Sequence, residues 1–278
     1  MEPPAGVSSV SAPPRSEPRT LAPPERRTAE VTRVERLGAY QLIAARDTEG
    51  PADPQPGQFY MLSTAERWGG GADERPYLPR AFSFARIQSG ELSFLLEAIG
   101  PGTARLAELA PGEGLDLVGP LGVGWRPPPE GRRPLLVGGG IGTAPLVCLQ
   151  DELGPAVPAL LGFRSAAHAE AAALFAAEPA VATDDGSRGR QALVTDLLRE
   201  QLDRDPEAAV FACGPPAMLE AVRALCAELA VPAQLALESG MACGFGACFG
   251  CVVATIDGYV RLCLDGPVLD ADRLESAL

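Results

Sequence analysis

Leu135-Leu136-Val137-Gly138-Gly139-Gly140-Ile141-Gly142-Thr143-Ala144-Pro145 reads as a buried strand, a glycine turn and the start of a helix. Glycines at such a turn let backbone come close to a pyrophosphate. The helix start adds free N–H groups and the positive end of its dipole. The spacing is not a strict G-x-G-x-x-G, so taken alone it reads equally well as a plain tight turn. The segments C-terminal to it decide the fold. Helices are predicted over 144–153, 166–177, 192–201 and 217–229, alternating with short apolar strands over 159–163, 180–183 and 209–212. That alternation predicts a parallel sheet with helices on both faces, in a domain spanning 132–236.

On the N-terminal side of this stretch, residues 126–133 form a polar, proline-rich linker. Ahead of it, runs over 31–37, 40–45, 58–62, 81–87 and 92–98 are separated by Gly/Pro turns. Glu91-Leu92-Ser93-Phe94-Leu95 alternates as a half-buried strand does. These predict a small antiparallel β-barrel over 29–127. A short helix over 102–109, with Thr103 as its N-cap, interrupts it. Residues 1–28 are rich in Pro, Ser, Glu and Arg and predict a disordered tail, since they hold too little apolar surface to offset ordering entropy.

Beyond the parallel sheet, residues 237–278 change character and are dominated by Cys and Gly. The spacing Cys243-x4-Cys248-x2-Cys251, with eleven residues between Cys251 and Cys263, is the plant-type [2Fe–2S] pattern. Two irons must be reached by thiolates from one tight loop, and Gly244, Gly246, Ala247 and Gly250 keep that loop free of bulk. A structural zinc site is the main rival, but it usually pairs its cysteines as two C-x2-C units, and only Cys248 and Cys251 are so spaced. Cys148 and Cys226 fall on predicted apolar helices as ordinary core residues.

Composition narrows the function classes. The net charge of −13, from 23 basic against 36 acidic residues, speaks against a nucleic-acid binder. The longest apolar stretch, 135–149, is broken by four glycines and a proline and is too short to span about 30 Å of hydrocarbon. A cytoplasmic address is expected, with no membrane insertion, so the seven cysteines are expected as thiols or metal ligands. The single histidine, His168, excludes a two-histidine cluster site within one chain.

Four further stretches carry candidate ligand groups. Phe211-Ala212-Cys213-Gly214-Pro215 ends a later strand of the parallel sheet, where ligands gather, so Cys213 is placed to face a nicotinamide. Thr183-Asp184-Asp185-Gly186-Ser187 comes after another strand and reads either as a ribose contact or as a solvated turn. Arg80-Ala81-Phe82-Ser83 puts a guanidinium and a hydroxyl on one barrel strand. Gly100-Pro101-Gly102-Thr103 opens the short helix and can hold an anion.

In this order, the pieces resemble the ferredoxin–NADP reductase superfamily. The resemblance is carried by Arg80-Ala81-Phe82-Ser83, Gly119-Pro120-Leu121-Gly122 and Cys213-Gly214-Pro215. The block 238–248, with Cys263-Leu264-Asp265-Gly266-Pro267-Val268, closely resembles the electron-transfer subunits of class 1B dihydroorotate dehydrogenases. That resemblance implies a multidomain chain: an FAD-binding antiparallel β-barrel, an α/β parallel-sheet nicotinamide domain, and a small C-terminal [2Fe–2S] cluster domain. It implies FAD contacts at Arg80, Ala81, Phe82, Ser83, Leu95, Leu96, Glu97, Gly102 and Thr103. NAD would serve as electron acceptor near Gly139, Gly140, Gly142 and Cys213, and Cys243, Cys248, Cys251 and Cys263 would be the cluster ligands. Its implied partner is an FMN-containing dihydroorotate dehydrogenase catalytic subunit, in a heterotetramer with two of each. The chain would be the electron-transfer subunit of an NAD-dependent oxidoreductase in pyrimidine (UMP) biosynthesis, with no carbon chemistry of its own. Two alternatives stand beside this. One is the flavin and iron–sulfur subunit of an NADH-dependent ferredoxin:NADP oxidoreductase or sulfide dehydrogenase. The other is a zinc-stabilised interaction module. Glu97 departs from the family, where many members carry a basic residue, as does Ala81, which replaces a common proline.

Overall fold

The computed structural model describes residues 25–66, 68 and 78–277, and residues 1–24 of the expected tail lie outside them. Seven antiparallel strands form the first sheet: β1 (Arg26–Leu37), β2 (Tyr40–Arg46), β3 (Phe59–Thr64), β4 (Arg80–Ser83), β5 (Arg86–Gln88), β6 (Glu91–Leu96) and β7 (Gly114–Leu121). Their order is β4-β3-β7-β1-β2-β6-β5. The two edge strands are joined in sequence by only Phe84 and Ala85, so the sheet must curl until its edges approach each other, as in a barrel. The run expected as one strand over 81–87 is therefore two strands on opposite edges. Ile43, Tyr60, Phe84, Phe94, Leu96 and Leu115 fill the interior. The Tyr60 ring meets Phe84 and Phe94 edge-on at 6.2 and 5.7 Å.

The strand β1 begins earlier than the tail was expected to end. Arg26, Arg27 and Thr28 pair with Val118, Leu117 and Asp116. Each also finds a carboxylate: Arg26 and Thr28 bond Asp116, and Arg27 bonds Asp47. These partners offset the ordering entropy that the residue types alone do not suggest. The short helix α1 (Pro101–Ala107) has Gly100, not Thr103, as its N-cap. Thr103 sits one turn in, and its Oγ1 accepts from the N–H groups of Gly100 and Ile99, each at 3.0 Å.

The second sheet uses β8 (Arg133–Gly139), β9 (Ala159–Phe163), β10 (Ala180–Thr183), β11 (Arg190–Gln191), β12 (Ala208–Cys213) and β13 (Ala233–Ala236), all parallel. Helices α2 (Ala144–Leu153), α3 (Ala166–Ala169), α4 (Val194–Arg204) and α5 (Pro216–Glu228) connect them. Alternation along the strands sends Leu135, Val137 and Val210 to the side of α4 and α5, and Leu136, Ala209 and Phe211 to the side of α2. Both faces are thus covered. The helix expected over 166–177 stops after one α-turn and continues as a 3-10 turn over Glu170–Leu174. Two acceptors that a continuing helix would use are taken: Ala167 O by the N–H of Ala39 at 2.9 Å, and Ala169 O by Arg188 at 3.0 Å.

The Cys-rich segment forms a hairpin, β14 (Val252–Thr255) and β15 (Gly258–Arg261), then α6 (Leu262–Asp265) and β16 (Val268–Asp270). β16 runs antiparallel to β13 and completes the order β11-β10-β9-β8-β12-β13-β16. The C-terminal segment is therefore stitched into the edge of the parallel sheet. Arg126 joins it there, exchanging hydrogen bonds with Gln234 at 3.0 Å and pairing with Asp270. Among the described residues, no helix is long and apolar enough to cross a membrane.

Candidate cofactor-relay site

The four expected ligand cysteines gather as two pairs. Cys251 and Cys263, both buried, have their sulfurs 3.2 Å apart. The N–H of Leu262, which starts α6, donates to Cys251 O at 3.0 Å and draws the fourth thiol to the loop. Cys243 and Cys248 form the outer pair, and Cys248 is exposed. Burial raises the Cys243 thiol, but N–H groups of Cys248, Phe245 and Ala247 and the Cys248 thiol outweigh it, bringing Cys243 to about 6. Burial, then the Cys251 thiol, pushes Cys263 up to about 12. Among the described residues, no three His, Cys, Asp or Glu side chains converge as a single-ion site. Two thiol pairs, with loop N–H groups aimed at a sulfur, fit a cluster that takes two thiolates per iron.

The loop's glycines are required by shape. Gly244 and Gly246 adopt φ of +80° and +86°. A Cβ at Gly244 would lie 2.5 Å from Met61 Cγ, and one at Gly246 would lie 2.5 Å from Leu264 Cδ1. Gly244 thus seats the loop on β3 and β7 of the barrel, where Met61, Leu121, Cys251, Leu262 and Cys263 share one core. Ordinary contact distances surround Gly250, so sterics do not demand a glycine there.

A cleft of about 480 Å³ opens between the barrel and the parallel sheet. Arg80, Ala81, Phe82, Ser83, Leu95, Glu97 and Thr103 line it from the barrel, as expected for flavin contacts. Gly102 stands behind them: a Cβ there would lie 2.6 Å from Arg80 Nε, so its absence gives the guanidinium its place. Leu96 departs from expectation. Strand alternation turns its side chain into the barrel with Leu92 and Phe94, away from the cleft. Across the cleft stand Ile141, Gly142, Cys213 and the segment Glu238 to Met241. A largely apolar slot with Arg80, the hydroxyls of Ser83 and Thr103 and the carboxyls of Glu97 and Glu238 at its wall fits an isoalloxazine ring and its phosphate chain.

A second cleft, of about 530 Å³, lies outside the C-terminal ends of β8, β9, β10 and β12. Gly139, Gly140 and Gly142 form its floor, and Thr143 Oγ1 closes the turn by donating to Gly140 O at 3.0 Å. A Cβ at Gly142 would lie 2.6 Å from the Gly214 N–H nitrogen, so the two glycine turns touch. Of the Thr183–Ser187 stretch, Asp184 lines this cleft. Cys213 ends β12 on the other side of the contact, in the barrel cleft, and burial holds its thiol well above the ordinary value.

Glu238 and His168 join the clefts without having been expected there from the sequence, whereas Arg164 is a candidate for a dinucleotide 2′-phosphate by its place after β9. Glu238 lines both clefts, and the surrounding protein raises its carboxyl. Arg164 and His168 line the second cleft and both contact Glu97, at 2.7 and 3.3 Å. Arg164 had a signal, since it comes directly after a parallel strand. Glu238 had none beyond its place in the cysteine block.

Residues 238–275 match the iron-sulfur cluster binding domain of dihydroorotate dehydrogenase B. The chain is 40% identical over 233 residues to the dihydroorotate dehydrogenase B (NAD(+)) electron transfer subunit of Bacillus caldolyticus, covering 79% of this chain and 86% of that one. It is 34% identical over 240 residues to the subunit of the same name from Clostridium acetobutylicum, covering 85% and 91%. In fold it is similar to an NADH-dependent reduced ferredoxin-NADP oxidoreductase, with a TM-score of 0.75, 23% identity, and coverage of 89% and 90%. With paired thiols and two adjoining clefts, the chain belongs to the family of dihydroorotate dehydrogenase B (NAD(+)) electron transfer subunits.

Proposed function

We propose that this chain relays electrons from an FMN-containing dihydroorotate dehydrogenase catalytic subunit to NAD⁺, in a cytoplasmic heterotetramer with two copies of each subunit that serves pyrimidine synthesis. The observation that carries the reading is contiguity. Met241 and Pro267 line the barrel cleft two and four residues from Cys243 and Cys263. Glu97, Ile141, Gly142 and Glu238 line both clefts. When bound, the [2Fe–2S] cluster and FAD supply the exchange between single electrons and the hydride that NAD⁺ takes.

The chain's own residues hold, orient and shield. In this reading Cys243, Cys248, Cys251 and Cys263 ligate the cluster within 237–278. Arg80, Ser83 and Thr103 hold the flavin chain in the barrel over 29–127. The turn Gly139–Gly142 brings backbone N–H groups to the dinucleotide in the domain over 132–236. Cys213, an uncharged thiol at the meeting of the clefts, leaves room for stacked rings without adding charge. Around exposed Cys248, the residues Phe245, Phe249 and Leu264 are 49%, 63% and 41% exposed. This apolar collar is the face offered to the catalytic subunit.

The test is Cys248→Ser in the purified complex. NAD⁺ reduction by dihydroorotate is expected to vanish with the cluster, while NADH oxidation by an artificial acceptor persists at the flavin. A wild-type complex carrying all its cofactors that fails to reduce NAD⁺ with dihydroorotate overturns the reading.

A further inference from the structure

Arg261 ends β15, two residues before Cys263, and its side chain reaches back over the cysteine loop. Its Nη1 donates to Gly246 O at 2.8 Å. Its Cζ lies 4.8 Å from the centroid of the Phe249 ring. Gly246 lies between Cys243 and Cys248, and Phe249 lies between Cys248 and Cys251. One cation therefore grips both halves of the three-thiol loop from the segment that carries the fourth thiol.

Of the two gripped residues, Phe249 needs holding. Gly246 and Phe249 have φ of +86° and +59°. For phenylalanine that left-handed conformation is disfavoured by its Cβ. Within this chain Phe249 is 63% exposed, so the chain's own packing does not hold it there, whereas the stacked guanidinium does. Arg261 is itself anchored: its N–H donates to Asp265 Oδ2 at 3.1 Å across α6. The charge also has a consequence. Reducing a cluster with four thiolates adds a negative charge, and a cation beside the loop favours that form.

We propose that Arg261 is a positioning residue of the cluster, holding the Cys243–Cys251 loop in its ligating form and raising the cluster's reduction potential. This rests on the relay reading for the presence of the cluster. The experiment compares Arg261→Gln and Arg261→Lys with wild type in the full complex, reading iron and sulfide content, iron release to a chelator, and the cluster midpoint by mediated titration monitored by electron paramagnetic resonance. Arg261→Gln is expected to release iron faster and to shift the midpoint negative by about 59 mV, a tenfold change in the reduced-to-oxidised ratio for one electron. Arg261→Lys keeps the charge but loses the planar fork, so its midpoint returns towards wild type while its iron release stays fast. If Arg261→Gln takes up no cluster, Phe249→Ala removes the stack and leaves the charge. Its expected result is faster iron release at an unchanged midpoint, and unchanged release overturns the proposal. A cluster-loaded wild type with an identical Arg261→Gln midpoint and release rate overturns this inference alone. A wild type that holds no cluster overturns the relay reading and this inference with it.

Discussion

Glu97, just past the end of a barrel strand, accepts a hydrogen bond at 2.7 Å from Arg164, just past the end of a strand in the parallel sheet. His168 lies 3.3 Å from the same carboxylate oxygen and sets its ring edge-on to Tyr40 at 5.6 Å. This contact joins the two domains at the mouth of both clefts. The Arg164 side chain is 65% exposed, so the pair contributes about 0–1 kcal/mol to folding. Its larger effect is on charge in the cleft.

Removing Glu97 is therefore expected to change dinucleotide binding more than stability. Glu97→Gln frees Arg164 for the phosphates and takes away a repelling charge, so the KM for NADH with an artificial acceptor falls a few-fold. Arg164→Ala raises it by about tenfold, a loss of about 1.4 kcal/mol. Steady-state kinetics beside a thermal melt check both. Equal KM values in the two variants would remove Arg164 from the binding surface.

At the glycine turn the expected effect is steric. A Cβ on Gly142 would lie 2.6 Å from Gly214 N and 2.7 Å from the carbonyl of Cys213, all backbone atoms that cannot rotate away. Gly142→Ala is expected to force the two turns apart and to abolish NADH-driven flavin reduction, with the cluster's iron retained. Gly139→Ala meets chiefly the flexible end of Met218, at 2.4 Å from Sδ, with Pro215 Cδ at 2.9 Å and no backbone atom among its nearest neighbours, so it is expected to keep a measurable share of activity. Stopped-flow flavin reduction separates the two.

The contrast between these glycines marks how far the sequence could be read. The strand–turn–helix at 135–145 was legible because apolar run, glycines and helix start all agree locally. The four cysteines were legible from spacing alone. What did not show was long-range. β7 carries Gly119 and Pro120 within it, β13 is only four residues, and β16 is three residues whose reason for being a strand is its partner β13, over thirty positions away. Arg26–Thr28 look like tail until Asp116 and Asp47 are seen beside them. Leu95 and Leu96 are expected together at the flavin, but a strand turns adjacent side chains to opposite faces, and only that of Leu95 reaches the cleft. Glu238 gains its position only when β12, the barrel and the cysteine segment meet.

Within the barrel, Arg27 and Asp47 form an ion pair with side chains 6% and 5% exposed, and Arg27 Nη2 also donates to Gly119 O at 2.7 Å. Asp47→Ala leaves a buried guanidinium without its carboxylate. Unfolding by denaturant is expected to show a loss of about 3–5 kcal/mol. Replacing both partners with apolar residues of similar size is expected to cost less than the single change. A single variant as stable as wild type would mean that water reaches Arg27 in the folded chain.

Acid sensitivity is expected at the C-terminal end. Glu220 on α5 accepts from Arg223 at 2.6 and 2.9 Å, from the N–H of Ala277 at 2.7 Å and from Ser276 at 3.2 Å. The hydrogen bond from Arg223 leads these in lowering its pKa from 4.5 to about 2. A carboxyl whose pKa is depressed on folding stabilises the fold fully above its unfolded value, and that contribution is lost as pH falls through the folded value. Here the window runs from 4.5 down to about 2. Glu220→Gln cannot titrate, so the stability gap between it and wild type is expected to be widest near neutral pH and to narrow steadily across that window. Denaturant midpoints measured through the range check it. A gap that stays constant in acid would show that Glu220 holds the C-terminal segment by shape and hydrogen bonding that survive its protonation.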